Sequence, residues 1–123
     1  MKLKRSQLEA IFGATRVVTD DGTLADYRDD YTELDGEDAA AVVYPLTLEE
    51  VQALVRLAIE TRTPITPRVA NTNVGGLAIP SPGAIVADFS RMDRVLEIDA
   101  DDMIAVIEPG GVSVRLSVPA PPA

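Results

Sequence analysis

A strand, a helix and a second strand follow one another in the middle of the chain, and this succession constrains the fold most strongly. The apolar run from Ala39 to Tyr44 ends at Pro45 and predicts a short buried strand. Thr47 followed three residues later by Glu50 forms a capping box, which predicts that a helix begins there. Apolar residues then recur at helical spacing and predict the face that packs on the core: Val51, Leu54, Val55, Ala58 and Ile59.

The end of this helix and the next strand complete the unit. Thr63-Pro64 predicts the end of the helix, because the residue before proline is disfavoured in helical conformation. Ile65-Thr66-Pro67 predicts a brief second strand. Strands joined through a helix run parallel, so residues 40–67 are predicted to form a βαβ unit.

The first 39 residues predict one short helix and an acidic connector. Ser6-Gln7-Leu8-Glu9 is a capping box with Ser6 as the predicted N-cap, and Gly13 is predicted to end the helix. Residues 14–39 are polar and acidic, with a turn predicted at Asp20-Asp21-Gly22. One apolar stripe is predicted to hold the connector to the body: Tyr27, Tyr31 and Leu34.

The second half of the chain predicts a sheet. Residues 84–89, 94–99 and 103–108 are apolar-rich and are separated by short polar turns, which predicts antiparallel strands. The expected fold class is α+β, a small βαβ layer followed by antiparallel strands.

Composition excludes several classes of chemistry. The chain has 123 residues and neither cysteine nor histidine, which excludes disulfides, thiolate nucleophiles and the usual zinc sites. A net charge of −9 disfavours nucleic acid and anionic lipid as partners. No apolar run is long enough to span a membrane, and a cytoplasmic location is expected.

One polar loop, residues 66–80, has the composition of an anion site. It directly follows a predicted strand and combines an arginine, two asparagines, a threonine and a glycine pair. Such a loop can turn several backbone N–H groups inward toward an anion, although a polar glycine-containing loop is more often only a connection. The common dinucleotide and P-loop fingerprints are absent from the sequence.

The order of short sequence blocks over residues 8–110 is more specific than any one motif. It resembles the N-terminal half of the FAD-linked oxidases of the vanillyl-alcohol oxidase/p-cresol methylhydroxylase (PCMH) superfamily, with the glycolate/D-lactate dehydrogenase group as the most similar branch. The blocks are Val42-Val43-Tyr44-Pro45, Thr47-Leu48-Glu49-Glu50-Val51, Thr63-Pro64-Ile65-Thr66-Pro67-Arg68, Thr72-Asn73-Val74-Gly75-Gly76, Ile85-Val86-Ala87-Asp88-Phe89-Ser90-Arg91-Met92-Asp93-Arg94-Val95-Leu96-Glu97-Ile98-Asp99 and Val106-Ile107-Glu108-Pro109-Gly110.

The resemblance implies FAD as cofactor, held in an elongated pose between two α+β subdomains. In the family a loop after the second strand, commonly Pro-Arg-Gly-Gly-Gly-Thr-Gly, holds the pyrophosphate. This chain departs from the pattern where the glycine triplet is replaced by Val69-Ala70-Asn71. Since the chain has no histidine, which some members use to attach FAD, non-covalent binding is implied. The residues expected to contact the cofactor are Arg68, Val69, Ala70, Asn71, Thr72, Asn73, Gly75 and Gly76.

The resemblance also implies a division of the chain. Residues 1–110 are expected to be part of a PCMH-type FAD-binding domain, comprising the helix and connector (1–39), the βαβ unit (40–67), the pyrophosphate loop (68–80) and the antiparallel strands (84–108). The resemblance stops at Gly110, and residues 111–123 form a proline-rich tail. We expect that a frameshift or early stop produced this tail, or that a second chain completes the flavin and substrate domains.

The expected function follows from the family, and no catalytic residue is assigned. The resemblance implies an oxidoreductase that removes hydride from a 2-hydroxy acid or related alcohol, although activity of this chain by itself is doubtful. The alternatives are a non-catalytic module that pairs through an open sheet edge, and a remnant without function. Four acidic residues at strand ends and turns are expected to be solvated or structural: Asp88, Glu97, Asp99 and Glu108. Arg91 and Arg94 are expected to pair with nearby acids.

Overall fold

The computed structural model describes residues 2–27, 39–69 and 80–110 of the chain. Within these residues, no helix is long and apolar enough to cross a membrane. The elements in chain order are α1 (Arg5–Phe12), a 3-10 turn (Ala14–Arg16), β1 (Val17–Val18), α2 (Asp21–Asp26), β2 (Ala41–Val43), α3 (Leu48–Thr61), β3 (Ile65–Arg68), β4 (Ile85–Asp88), β5 (Val95–Asp99) and β6 (Ile104–Ile107).

The strands form two sheets. The first has the order β1-β2-β4-β3, with β2 and β3 both parallel to β4 and β1 antiparallel to β2. The second consists of β5 and β6, which pair antiparallel as predicted. The prediction that residues 84–89 form an antiparallel strand was wrong, because β4 lies between the two strands of the βαβ unit and runs parallel to both. All four residues of β4 are buried, as a strand covered on both faces requires.

Apolar side chains cover both faces of the first sheet. On one face, α1 and α3 contribute Leu8, Phe12, Leu54 and Leu57 to a cluster that includes Val43 of the sheet. The other face carries a smaller cluster, to which α2 contributes Leu24 and the strands contribute Val42 and Val86. Ala39, just before β2, completes it, and Tyr27 and Tyr44 pack against it. The parallel strands are therefore buried between the two clusters. Polar residues occur where these strands end.

The face that α3 packs on the core differs from the predicted one. Leu54, Leu57 and Ala58 are buried, whereas Val55 is 44% exposed and Ile59 is 72% exposed. Val55 and Ile59 instead line an open groove together with Ile65 at the start of β3, the edge strand of the sheet. The capping box was predicted correctly, since Glu50 N–H donates to Thr47 Oγ1 at 3.2 Å and Thr47 N–H donates to Glu50 Oε1 at 3.2 Å.

The beginning of the chain is more regular than predicted. Helix α1 begins at Arg5 and not after Ser6, because Lys4 N–H donates to Gln7 Oε1 at 2.8 Å while Glu9 pairs with Arg5 at 2.6 Å. Gly13 ends the helix at a φ of 80°, as predicted. Instead of an irregular connector, residues 14–26 contain a 3-10 turn, β1 and α2, and the carboxylate of Asp20 caps α2. Tyr31 and Leu34 of the predicted stripe lie outside the described residues.

Candidate functional site

The carboxyl ends of the parallel strands bring polar residues together at one edge of the sheet. Arg68 is the last residue of β3 and is paired in register with Asp88, the last residue of β4. Phe89 N–H donates to the carbonyl oxygen of Arg68 at 2.8 Å, and Tyr44 directly follows β2. In open sheets with parallel strands, ligands bind outside this edge. The predicted loop begins here, since residue 69 follows β3.

A buried carboxylate organises the edge. The side chain of Asp88 is buried, accepts a hydrogen bond from the Tyr27 hydroxyl, and also accepts the Ser90 N–H at 2.9 Å. The Tyr27 hydroxyl lies 3.1 Å from the Tyr44 hydroxyl. Burial raises the pKa of Tyr27 well above its ordinary value, and the hydrogen bonds with Asp88 and Tyr44 raise it further. Tyr27 therefore stays protonated at neutral pH and donates to Asp88.

An arginine side chain lies over the ring of each of these two tyrosines. The guanidinium carbon of Arg68 lies 4.3 Å from the centre of the Tyr27 ring, and that of Arg91 lies 4.0 Å from the centre of the Tyr44 ring. Arg68 Nη1 also donates to the carbonyl oxygen of Asp26 at 3.3 Å. Two guanidinium groups thus lie beside the two tyrosine rings, in a chain of net charge −9. We name these five residues the edge cluster: Tyr27, Tyr44, Arg68, Asp88 and Arg91.

The expected pairing of an arginine with an acid is confirmed for Arg94. Arg94 Nε lies 2.7 Å from Glu108 Oε1 and the Arg94 N–H donates to the same oxygen at 3.0 Å. The hydrogen bond from the Arg94 side chain lowers the pKa of Glu108. Within residues 2–27, 39–69 and 80–110, the contact found for Arg91 is the Tyr44 ring. Its pairing with an acid stays a prediction.

Of the predicted cofactor residues, the structure describes two. Arg68 is partly buried in the edge cluster, and Val69 is 36% exposed beside it. The other six lie outside the described residues, and their role stays a prediction: Ala70, Asn71, Thr72, Asn73, Gly75 and Gly76. The donor set that is described fits an anionic ligand, because the loop leaves the sheet next to two guanidinium groups that bind phosphate in a fixed planar geometry.

Sequence reasoning missed the remaining members of the edge cluster. Tyr27 and Asp88 are 61 residues apart, so no local spacing connects them. One indication was available: Asp88 ends an otherwise apolar run, and a carboxylate at the carboxyl end of a buried strand needs hydrogen-bond donors. The two aromatic partners belong to segments that sequence patterns describe as a connector and a strand end.

Gly110 holds the turn that carries Arg91. Its N–H donates to the Met92 carbonyl oxygen at 2.7 Å. A methyl group at Gly110 would lie 2.8 Å from that oxygen, 2.9 Å from the carbonyl oxygen of Ser90 and closer still to that of Phe89. Because only glycine fits this approach of backbone to backbone, the Glu108-Pro109-Gly110 segment packs directly on the Phe89–Met92 turn.

A groove lies at the opposite edge of the sheet. It has a volume of about 320 Å³ between the end of α3 and the start of β3. It shares no residue with the edge cluster, and its lining is mainly apolar: Val55, Ala58, Ile59, Arg62, Thr63, Pro64 and Ile65. We therefore place the candidate site by its chemistry, and not by the size of the concavity.

Comparison with known proteins identifies the family to which this chain belongs. A family model described as an FAD binding domain matches residues 39–117, which is more than half of the chain and runs past Gly110. The chain belongs to this family. The resemblance to FAD-linked oxidases is thus confirmed, and FAD is the cofactor for which this domain is built.

Individual relatives agree with this assignment. The chain is 31% identical over 110 residues to D-2-hydroxyglutarate dehydrogenase of Stutzerimonas stutzeri and 34% identical over 76 residues to the glycolate oxidase subunit GlcD of Bacillus subtilis. These alignments cover 89% and 62% of this chain but only 24% and 16% of the relatives. The crystal structure of p-cresol methylhydroxylase with substrate bound superposes with a TM-score of 0.80 at 25% identity, covering 90% of this chain and 22% of that one. The α+β fold class is confirmed.

Proposed function

We propose that this chain supplies the pyrophosphate-binding part of a flavin-dependent oxidoreductase that acts on a 2-hydroxy acid. The relatives named above support the substrate class, since D-2-hydroxyglutarate and glycolate are both 2-hydroxy acids. Bound FAD would supply the acceptor for the hydride removed from the carbon that carries the hydroxyl group. The chain spans about a quarter of the first of these relatives, so no residue that touches the substrate is assigned to it.

The observation that carries the proposal is the position of Arg68. Its guanidinium lies at the carboxyl edge of the parallel strands, at the root of the loop that the resemblance assigns to the pyrophosphate. Residues 69–76 would add backbone and side-chain N–H donors, and Arg68 would add the positive charge that offsets the phosphates. This local charge is needed because the chain as a whole is acidic and repels anions.

Three finer points belong to the same proposal. Binding would be non-covalent as far as this chain is concerned, because it has neither histidine nor cysteine to attach the flavin. The division at residues 39, 67, 80 and 110 and the foreign origin of residues 111–123 stay predictions. A cytoplasmic location also stays a prediction.

The first test is FAD binding by the purified chain. We expect a flavin absorption band that co-elutes with the protein after excess FAD is removed by gel filtration. Arg68→Gln should weaken FAD binding at least tenfold, because a charge-assisted hydrogen bond to phosphate contributes roughly 1.5–3 kcal/mol. Fluorescence titration of FAD measures the change.

Arg56→Gln is the matched control, because Arg56 is an exposed arginine on α3. It removes the same charge from the chain and should leave FAD affinity unchanged. Equal weakening by the two substitutions would mean that net charge, and not a site at Arg68, governs binding. A colourless protein peak for the unaltered chain would withdraw the FAD-binding role from this chain by itself.

A second proposal concerns what completes the domain. Leu96, Ile98, Ile104 and Val106 of the β5–β6 sheet are between 43% and 55% exposed, and Met103 beside them is 91% exposed. A two-stranded sheet by itself is marginally stable, and so large an apolar surface favours a covering partner. We propose that the remainder of the flavin and substrate domains, on a second chain, packs against this sheet.

Co-elution tests this second proposal. The probe is the S. stutzeri relative lacking the quarter that this chain matches, and we expect one gel-filtration peak for the mixture. The double variant Leu96→Ser/Ile98→Ser should weaken the complex at least tenfold, because it removes two large apolar contacts. The control Val55→Ser/Ile59→Ser removes exposed apolar residues from α3 and should leave the stability of the complex unchanged. Separate elution, or equal loss in both double variants, would contradict the proposal.

A further inference from the structure

The edge cluster holds the Arg68 side chain in place. We propose that Tyr27, through its hydrogen bond to the buried Asp88, is a positioning residue that orients the Arg68 guanidinium toward the phosphates of FAD. This inference rests on the proposed FAD-binding function and goes beyond it, because Tyr27 lies in the acidic N-terminal part, which precedes the matched family segment of residues 39–117.

Hydrogen bonds hold the hydroxyl end of the Tyr27 side chain. Asp88 is 6% exposed and belongs to the central strand β4, so its carboxylate cannot move far. It accepts hydrogen bonds from the Tyr27 hydroxyl and from Ser90 N–H, and the Tyr44 hydroxyl lies 3.1 Å from that of Tyr27. Two points of contact fix the direction of the Tyr27 side chain, and the Tyr27 ring packs against the smaller apolar cluster.

The ring of Tyr27 then fixes Arg68. A guanidinium group that lies on an aromatic ring makes contact through its flat face, and the N–H donors remain in its plane. One of the five donors is used by the carbonyl oxygen of Asp26 at 3.3 Å. The ring contact and this hydrogen bond together restrict the Arg68 side chain, and within the described residues no partner is found for its other N–H donors. Restricting the side chain beforehand reduces the entropy lost on binding.

A purely structural role is the competing explanation. Tyr27 closes α2 against the sheet, so its loss would lower stability whether or not Arg68 binds phosphate. The two explanations differ in one respect. A positioning role makes the effect of Tyr27 on FAD affinity depend on Arg68, whereas a structural role acts equally with and without the arginine.

A double-mutant cycle separates them in the full chain. Tyr27→Leu removes the ring and the hydroxyl, and it should weaken FAD binding about tenfold when Arg68 is present. In the Arg68→Gln background the same substitution should weaken binding less than twofold. Tyr27→Phe keeps the ring and removes only the hydroxyl, so its effect on FAD affinity should fall between those of the unaltered chain and Tyr27→Leu. Melting temperatures without FAD are measured for all variants.

Each outcome decides one claim. If the unaltered chain binds FAD and Tyr27→Leu weakens binding by the same factor in both backgrounds, the positioning role is wrong while the FAD-binding function stands. If Tyr27→Leu does not fold, the effect of Tyr27→Phe on FAD affinity is compared with and without Arg68→Gln instead. An equal effect in both backgrounds would contradict the positioning role. If the unaltered chain does not bind FAD, the proposed function and the positioning role fail together. A tenfold effect that depends on Arg68, with equal changes in melting temperature in both backgrounds, supports the inference.

Discussion

Replacing Glu50 by alanine is expected to lower the free energy of unfolding by about 2–3 kcal/mol, since it removes one partner of a partly buried ion pair and the capping carboxylate of α3. Arg16 and Glu50 are joined by two hydrogen bonds, and their side chains are only 20% and 16% exposed. Glu50 Oε1 also accepts the N–H groups of Leu46 and Thr47 at 2.9 and 3.2 Å. One carboxylate therefore caps α3 and pairs with the 3-10 turn.

Urea unfolding monitored by circular dichroism measures this loss, with Glu49→Ala as the control. Glu49 is an exposed acid in the same helical turn, and its removal should cost no more than about 1 kcal/mol through the helix dipole. Equal losses in the two variants would mean that the Arg16–Glu50 pair contributes little.

The same pair has a defined pH dependence. The hydrogen bond from Arg16 lowers the pKa of Glu50 below the ordinary value of a glutamate side chain. A carboxylate with a lowered pKa in the folded state stabilises the fold fully above its unfolded pKa of about 4.3, and this contribution is lost as the pH falls through the folded pKa. The stability gap between the unaltered chain and Glu50→Ala should therefore narrow below about pH 4. A gap independent of pH would contradict the ionic origin of the effect.

Replacing Gly110 by alanine should have an effect of similar size, about 3 kcal/mol or more, because overpacking against rigid neighbours is costly. The added methyl group would meet three backbone carbonyl oxygens, those of Phe89, Ser90 and Met92. Backbone atoms in a turn that is itself hydrogen-bonded cannot swing aside as a flexible side chain would. We therefore expect the turn that carries Arg91 to shift, and thermal unfolding to occur at a clearly lower temperature.

Gly22→Ala provides the control for Gly110→Ala. Gly22 lies in α2, and a methyl group there would come no closer than 3.6 Å to the Asp20 carboxylate, an ordinary contact. Alanine is the better helix former, so this variant should unfold at an unchanged or slightly higher temperature. If Gly110→Ala melts at the temperature of the unaltered chain, the close packing of Gly110 on the turn is not needed for the fold.

The local elements could be predicted from the sequence because their causes are local. The β2 strand, the start of α3 at the Thr47 capping box and its end before Pro64 follow from neighbouring residues alone. The same holds for β5 and β6, two apolar runs joined by a short polar turn. The family was also accessible, because the order of short blocks along a chain is itself a sequence property.

The start of the chain shows where this local reasoning failed. β1 has two residues and α2 has six, which is too short for either periodicity to appear in the sequence. Both elements form because residues 17–18 find a partner in β2 and because Asp20 caps α2. Pairing with a strand 25 residues away is a tertiary interaction, so a locally acidic segment was predicted to be a connector.

By itself, then, the sequence determined the elements with local causes, the absence of histidine and cysteine chemistry, and the family. Only the tertiary structure decided that β4 enters between β2 and β3, since strand order depends on burial on both faces and not on chain order. It also decided which flank of α3 stays exposed. The edge cluster was decided in the same way, because parallel strands bring their carboxyl ends together whatever their separation in sequence, and Tyr27, Arg68 and Asp88 meet only there.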